Sequence, residues 1–178
     1  MYLPRAFAET DLAALDALID AHPFVTLIST DADGAPFASH LPVLYRRTGD
    51  AVLVEGHWAR PNPQAKHTSE MLMIVHGPDA YVSPGVYPDK EEAARVPTWN
   101  YALVQVWGRA RAIEDTAWIG AQVRALTTMQ ETGRVEPWAV EDAPEPFVAT
   151  QLKAVVGIEI RITRIEGKWK ASQNRPPA

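Results

Sequence analysis

The segment Arg60-Pro61-Asn62-Pro63-Gln64 has residue types that suit a phosphate group. Asn62 is a good N-cap and Pro63 suits the first helical position, so a short helix is predicted to begin here. The first backbone N–H groups of a helix lack internal partners, and the helix dipole favours an anion there. Arg60 adds a guanidinium whose geometry matches phosphate oxygens. Taken alone, however, the segment favours a simpler explanation, a solvated Arg60 and an ordinary cap at Asn62.

A second candidate lies at residues 98–101, where Thr98, Trp99, Asn100 and Tyr101 stand at the entry to a predicted strand. Two large aromatic rings flank an amide that can both donate and accept hydrogen bonds. This combination could stack on a planar heterocycle and bind its polar edge. An aromatic pair packed in the core beneath a long loop would explain the same residues, and the two interpretations stay equal.

A third candidate is the run Ser172-Gln173-Asn174-Arg175, which places four hydrogen-bonding side chains in succession close to the last residue. A frayed tail is the usual structure of such a segment. Trp169 and a strongly alternating strand precede it by only a few residues, and they favour an anchored segment.

Several kinds of site are absent from the sequence. The chain has no cysteine, which removes disulfides, thiolate metal sites and a cysteine nucleophile. No dinucleotide fingerprint, phosphate-binding loop or G-x-S-x-G elbow occurs. Ser39 and His40 are neighbours on a predicted strand, so they point to opposite faces and cannot act as a pair. The five histidines show no helical ligand spacing, and no metal is expected.

Composition predicts one globular domain covering residues 1–178, since this length is typical of a single domain. Acidic residues outnumber basic ones by 22 to 17, and the net charge is −5. Such a chain is a poor candidate for nucleic-acid binding, which depends on Lys and Arg contacts to phosphates. No basic-then-apolar leader and no apolar run of about 20 residues is present, so a cytoplasmic protein without a membrane partner is expected.

Patterning predicts the elements that must position these residues. Helices are expected from a cap at Thr10 to before Pro23, over residues 62–69, after a cap at Asp115, and over residues 145–153. Strands are expected over residues 24–29, 37–46, 51–58, 71–75, 100–113 and 155–165, with the first three forming a meander. A long loop is expected over residues 77–98. Strands joined by hairpin turns, with helices at their flanks, indicate a mainly β α+β fold built on an antiparallel barrel.

Five motifs, in their order along the chain, resemble the PaiB-type FMN-binding negative transcriptional regulators. They are Ser39-His40-Leu41-Pro42, Gly56-His57-Trp58-Ala59-Arg60-Pro61-Asn62-Pro63-Gln64, His76-Gly77-Pro78-Asp79-Ala80-Tyr81, Val96-Pro97-Thr98-Trp99-Asn100-Tyr101 and Ser172-Gln173-Asn174-Arg175. The opening Met1-Tyr2-Leu3-Pro4 agrees as well. The resemblance covers essentially the whole chain and implies an FMN-binding split barrel, similar to the pyridoxamine-phosphate-oxidase-like flavoproteins.

The resemblance also implies a homodimer with FMN between its subunits. The implied contacts come from four segments, some of them supplied by the other subunit. They are Ser39, His40 and Leu41; His57, Ala59, Arg60, Asn62 and Gln64; Thr98, Trp99, Asn100 and Tyr101; and Ser172, Gln173, Asn174 and Arg175.

Two classes of function fit these observations. The first is an FMN-binding regulator of transcription that acts indirectly, because no basic recognition helix is present and direct DNA binding is doubtful. The alternative is an FMN-dependent oxidoreductase or flavin reductase acting on a small molecule that the sequence does not identify. A third hypothesis is haem binding, with His40 or His57 as a ligand, since related split barrels handle haem.

Overall fold

A computed structural model describes residues 1–87 and 96–173. The strands are β1 (Ala8–Glu9), β2 (Phe24–Thr30), β3 (Pro36–Pro42), β4 (Leu44–Thr48), β5 (Ala51–Ala59), β6 (Glu70–Val82), β7 (Thr98–Ile113) and β8 (Val155–Lys170). The α-helices of the described residues are α1 (Leu12–Ala21), α2 (Thr116–Glu131) and α3 (Glu145–Lys153). Short 3₁₀ turns cover Arg5–Phe7, Pro63–Lys66, Pro84–Val86 and Val140–Asp142. Among these residues, no helix has the length and apolar character needed to cross a membrane.

The strands form one antiparallel sheet in the order β3-β2-β6-β7-β8-β5-β4, with β1 added to β8. The two ends of this path, β3 and β4, are joined in sequence by Val43 alone. A single residue cannot cross a flat sheet of seven strands, so the sheet must curve until its ends meet. The Val43 N–H donates to the Pro23 carbonyl at 2.9 Å and holds this corner against the start of β2. The result is a barrel.

Alternation along the strands decides what the barrel encloses. In β2, in the first half of β6 and in the middle of β7 every second residue is buried, which is the two-residue period of a pleated strand. Helix α1 adds Leu15 and Ile19, which are 3% and 0% exposed, to the same core. The enclosed side chains are mainly Val, with Ile, Leu and Met, and their burial supplies most of the stabilising free energy.

Four predicted elements differ from the structure. The single strand expected over residues 37–46 is two strands divided at Val43. The expected antiparallel pairs are therefore present as two hairpins, β2 with β3 and β4 with β5, and not as one three-stranded meander. The cap of α1 is Asp11, whose carboxylate accepts from the Ala13 N–H, and not Thr10. The helix expected over residues 62–69 is a four-residue 3₁₀ turn.

The fourth difference concerns the long loop. Strand β6 continues through a bulge to Val82 because its second half pairs with the start of β7. The loop expected to begin at residue 77 therefore begins later, and residues 88–95 lie outside the described part of the chain. The predicted helix over residues 145–153 and the Asp115 cap of α2 are confirmed. Strand β8 is also longer than expected and ends at Lys170.

Candidate functional site

The first group of predicted site residues lies where β3 meets the turn after β5. The Asn62 side-chain amide donates to Ser39 Oγ at 2.9 Å, and its oxygen accepts from the Gln64 N–H at 2.9 Å. Asn62 also donates its backbone N–H to the Ala59 carbonyl. These bonds fasten the turn to the edge strand, so Ser39, Asn62 and Gln64 form one connected polar group, here called the β3 group.

Gln64 is fully buried, which is unusual for a polar side chain. Its amide nitrogen donates to the Leu27 carbonyl at 3.0 Å and to Ser29 Oγ at 2.9 Å. Ser29 Oγ lies 2.7 Å from His67 Nδ1, so the chain of polar contacts reaches the surface of the barrel. Gln64 Oε1 has no partner among the described residues. An unpaired buried oxygen calls for a donor and fits a polar ligand or water at this position.

Arg60 is held by its own chain. Its guanidinium donates to the Lys153 carbonyl at 2.7 Å, to the Val155 carbonyl at 2.9 Å and to Glu114 Oε2 at 2.6 Å. These contacts secure the junction between α3 and β8. Because the following turn has only four residues, it lacks the aligned peptide dipoles of an α-helix, and the dipole expected to favour phosphate there is not present. The role of Arg60 in phosphate binding stays a prediction that depends on its remaining N–H groups.

The other predicted residues of β3 and β5 divide by face. His40 Nδ1 lies 3.1 Å from Thr26 Oγ1 on the outside of the barrel, opposite to Ser39. Leu41 is only 5% exposed and packs in the core, so its side chain is not available to a ligand. Ala59 is exposed at the end of β5. His57 Nδ1 lies 2.8 Å from Gln122 Oε1 beneath α2.

The second group of predicted site residues lies at the start of β7 and just beyond the end of β8, and is here called the β7 group. Ser172 Oγ donates to Asn100 Oδ1 at 2.9 Å. The Lys170 ammonium donates to Thr98 Oγ1 and to the Trp99 carbonyl. Tyr101 has the Lys168 ammonium 5.4 Å from its ring centre. These contacts bring the start of β7 and the end of β8 together.

The exposure and contacts of the β7 group decide between the alternatives left open by the sequence, a core aromatic pair at residues 99–101 and a frayed tail after Lys170. Trp99 is 54% exposed and Tyr101 is half-buried, so these two residues are not a core pair. The ring of Trp99 instead meets that of the exposed Tyr81 edge to face at 5.8 Å. The Gln173 amide donates to the Trp169 carbonyl at 2.6 Å and to the Ala6 carbonyl at 3.1 Å, so the tail is anchored through this residue. Asn174 and Arg175 lie outside the described residues.

The β3 group and the β7 group do not meet within one chain. Ser39 pairs with Leu27, which pairs with Met73, which pairs with Val106. Three strand steps separate them across the sheet, roughly 14 Å at the usual spacing. Tyr101 lies five residues farther along β7, which adds roughly 17 Å along the strand.

Sequence reasoning missed several polar residues at these places. Gln122 is 4% exposed, contacts His57 and leaves its Nε2 without a partner in the described structure. It lies between Ile119 and Leu126 on the buried stripe of α2, and a polar residue at an apolar position is the signal that would have found it. Ser29 gave no such signal, since it reads as an ordinary strand residue. Within the described residues, no group of three or more His, Asp or Glu is placed to hold a metal ion.

Comparison with known proteins agrees with this architecture. A protein-family model described as "Putative FMN-binding domain" matches residues 1–164. The chain is 29% identical over 178 residues to the Protease synthase and sporulation protein PAI 2 of Bacillus subtilis, covering 98% of this chain and 83% of the relative. It is 34% identical over 214 residues to an uncharacterized protein of Emericella nidulans, covering 97% and 84%.

Among solved structures, the flavocytochrome Anf3 from Azotobacter vinelandii superimposes with a TM-score of 0.65. The alignment covers 99% of this chain and 74% of the other, at 20% identity, so it supports the fold alone. The split-barrel interpretation of the fold is therefore confirmed, as is the resemblance to the PaiB type. By its family match and its fold, the chain belongs to the FMN-binding domain family, a group of α+β split-barrel flavoproteins, and its cofactor is FMN.

Proposed function

We propose that the protein is a homodimer of the PaiB type in which each FMN lies between the β3 group of one protomer and the β7 group of its partner. The observation that carries this proposal is the separation of the two groups within one chain. The β3 group offers polar side chains, and the β7 group offers both polar and aromatic ones. A flavin has a polar phosphate tail and a planar ring system, so two such half-sites together match it better than either does alone.

The outer face of the barrel supports a second copy as the partner. Ile28 on β2 aligns with Leu72 on β6 and Trp107 on β7, and the next row contains Ile74. These large apolar side chains are half-buried, although they point away from the core. Helix α1 packs into the core, and α2 and α3 pack against β8, so none of the described helices covers this face. Partly exposed apolar rows of this kind suit a partner surface, which we take to be a second copy of the chain.

When bound, FMN supplies hydride or single-electron transfer at its ring system. The residues of this chain bind and orient it. Asn62 and Ser39 present an amide and a hydroxyl at the edge strand, and Trp99 presents a half-exposed ring for stacking. Arg60 keeps N–H groups beyond its three internal bonds, and these would take a phosphate oxygen.

The proposed role is regulatory, with the effect on transcription being indirect. The described helices present no basic recognition surface, since α2 carries Arg124 alone as a basic residue and Arg124 is paired with Glu141. The second candidate is a flavin reductase or FMN-dependent oxidoreductase. It is favoured by the exposed aromatic ring of Trp99 beside the proposed flavin position. NAD(P)H consumption with and without added FMN distinguishes an enzyme from a binding protein.

A subunit-mixing experiment tests the shared site. Asn62→Ala removes a contact from the β3 group and Asn100→Ala removes one from the β7 group, so each variant alone should bind FMN weakly. In a mixed dimer one site carries both substitutions and the other carries neither. Co-expression with two different affinity tags should therefore restore tight binding of one FMN per mixed dimer, measured by absorbance after both purification steps.

Gln151→Ala is the matched control, because this exposed amide lies on α3 away from both groups. Light scattering should give a dimer mass for every variant. If both sites lay within single chains, each site of the mixed dimer would retain one substitution and FMN would not be recovered. That result, or a monomer mass at micromolar concentration, would reject the shared site.

A further inference from the structure

Arginines of β4, β7 and β8 collect on the outer face of the barrel, away from both the β3 group and the β7 group. The members of this arginine surface are Arg46, Arg109, Arg111 and Arg161. Arg109 and Arg161 are direct neighbours across the β7–β8 pair, and Arg161 is in turn paired with Leu53 beside Arg46. Like charges placed directly opposite on a sheet are unfavourable, so this arrangement needs an explanation.

Glu70 of β6 lies directly opposite Arg109, is exposed and accepts from Thr163 Oγ1 at 3.1 Å. The other two glutamates of this surface lie beneath the arginines. Glu55 contacts Arg46 at 3.1 Å, and Glu159 contacts Arg111 at 3.1 Å and Arg161 at 3.9 Å. The side chains of Glu55 and Glu159 are 15% and 12% exposed, whereas that of Arg161 is 84% exposed. Arg109 has no carboxylate partner among the described residues. The surface therefore presents positive charge to solvent, although the whole chain has a net charge of −5.

The backbone holds this arrangement rigidly. Gly108 allows β7 to approach β8 closely, since a Cβ there would lie 2.5 Å from the Arg161 carbonyl oxygen. The pairing shifts register at this point, with Gly108 opposite Ile162 and Trp107 opposite Arg164. The extra residue, Thr163, turns Arg164 outward to lie 3.6 Å over the Trp107 ring. Bulges of this kind commonly aim side chains at functional sites.

Two neighbouring clefts are both lined by Arg161. One has a volume of about 510 Å³ and includes Arg109 and Arg111. The other has a volume of about 490 Å³ and includes Arg46, Thr48 and the apolar side chain of Leu53. Volumes in this range suit a small molecule. Adjacent guanidinium groups suit phosphate oxygens, and the division by Arg161 suits two linked phosphates.

We infer that the arginine surface binds a small organic diphosphate, such as a nucleoside diphosphate, at a site separate from the flavin. Arg109 and Arg161 hold one phosphate between them. Arg161 and Arg46 hold the second, and Leu53 contacts the organic group. The inference does not depend on the proposed flavin geometry, because none of these residues belongs to either flavin group.

The test is calorimetric titration of the FMN-saturated protein at ~50 mM salt with pyrophosphate, ADP and adenosine. ADP and pyrophosphate should bind, and adenosine should bind much more weakly. Arg109→Gln and Arg161→Gln should each weaken ADP about ten- to a hundredfold, the range for charge-assisted hydrogen bonds. Both should leave FMN affinity unchanged. Arg134→Gln, an exposed arginine at the end of α2, is the matched control and should change neither.

Several results would overturn the inference. One is that neither ADP nor pyrophosphate binds at millimolar concentration. Another is that Arg109→Gln and Arg134→Gln bind ADP with equal affinity. Tighter binding of a DNA duplex than of ADP, lost in Arg161→Gln, would assign the surface to a nucleic acid instead. A fall to monomer mass in Arg161→Gln would show that the arginines hold a second copy of the chain.

Discussion

Arg60 illustrates how one side chain can serve the fold and the ligand together. Two of its hydrogen bonds go to backbone carbonyls at the α3–β8 junction, and the third goes to Glu114, whose side chain is 71% exposed. The carbonyl bonds fix the position of the guanidinium, while the exposed pair with Glu114 contributes little free energy. A phosphate could therefore replace Glu114 without disturbing the junction.

The first prediction follows from these two kinds of Arg60 contact, the fixed bonds to carbonyls and the exposed pair with Glu114. Arg60→Ala should weaken FMN about ten- to a hundredfold and should weaken riboflavin much less, because riboflavin lacks the phosphate. It should also lower thermal stability through the lost carbonyl bonds. Glu114→Gln is the matched comparison and should strengthen FMN slightly by freeing Arg60. Fluorescence titration with both flavins measures the difference. Equal losses of affinity for FMN and riboflavin would show that Arg60 does not contact the phosphate.

A second residue-scale prediction concerns the carboxylate that joins α1 to β4. Asp16 accepts from Arg47 Nε at 2.7 Å, from Arg47 Nη2 at 2.9 Å and from the Tyr45 hydroxyl at 2.5 Å. Burial raises the pKa of Asp16, but the hydrogen bonds from Arg47 and Tyr45 outweigh it, so the pKa lies below its ordinary value of 3.8.

Since the folded pKa is depressed, this stabilisation is fully present above the ordinary pKa. It is lost as the pH falls through the folded value. Asp16→Asn should lower the free energy of unfolding at pH 7 by about 1–3 kcal/mol. The difference from the unmodified protein should shrink below about pH 4. Urea unfolding across pH 2–7 measures it, with the exposed Asp50→Asn as control, and a difference that stays constant with pH would contradict the assignment.

Elements of this fold depend on close approaches between helices and strands. A Cβ at Gly167 would lie 2.2 Å from Leu15 of α1, and a Cβ at Gly157 would lie 2.5 Å from Trp118 of α2. Both glycines lie on β8, which therefore seats α1 at one end and α2 at the other. Neither position needs an unusual backbone angle. The requirement is for space alone.

The third prediction is that Gly167→Ala destabilises the protein by about 1–3 kcal/mol, the usual cost of overpacking a core. Leu15 is 3% exposed and packed in the core, and the new Cβ would also lie 2.9 Å from the Trp169 ring, so there is little space for the side chains to move aside. Gly85→Ala is the control, because its nearest neighbour would lie at 3.4 Å and it is exposed. The midpoint of urea unfolding gives the comparison. An unchanged midpoint for Gly167→Ala would mean that α1 is not seated as described.

Elements with strong local signals were predictable from the sequence. The helix over residues 145–153 was predicted correctly, and so was the strand at β2, which is rich in Val, Ile and Phe. The break at Val43 was not predictable, because it is caused by barrel closure, which depends on strands distant in sequence. The strand-like residue pattern continues through Val43 without interruption. The same reason explains the extra length of β6 and β8. The second half of each strand is stabilised by pairing with the start of β7, not by its own pattern.

The site divides in the same way. The N-cap role of Asn62 followed from local chemistry, but its bond to Ser39 joins residues 23 positions apart and came into view only with the fold. Grouping Thr98 with Ser172 depended on the family resemblance, since nothing in either segment indicates the other. Gln122 and Ser29 were missed because single buried polar residues have no sequence period of their own.

At the scale of the whole molecule, charge limits the partners. The net charge is −5, and the arginine surface is a local exception that spans parts of four strands. Four guanidinium groups, three of them already paired with half-buried glutamates, neutralise few phosphates of a duplex. Affinity for DNA grows with the number of counterions released, so such a small surface gives weak binding. A small diphosphate, which needs only two or three cations, is not limited in this way.

The last prediction is therefore that the protein does not bind duplex DNA directly with useful affinity, even as a dimer that doubles the arginine surface. Fluorescence anisotropy at ~50 mM salt, with promoter fragments and random duplexes, should show no submicromolar binding. A strand pair can enter a groove, so the fold alone does not exclude it. Submicromolar binding that weakens steeply with salt would contradict the prediction and assign direct repression to this family member. Binding unaffected by salt would point to base or shape contacts, and that outcome would also reject the electrostatic argument.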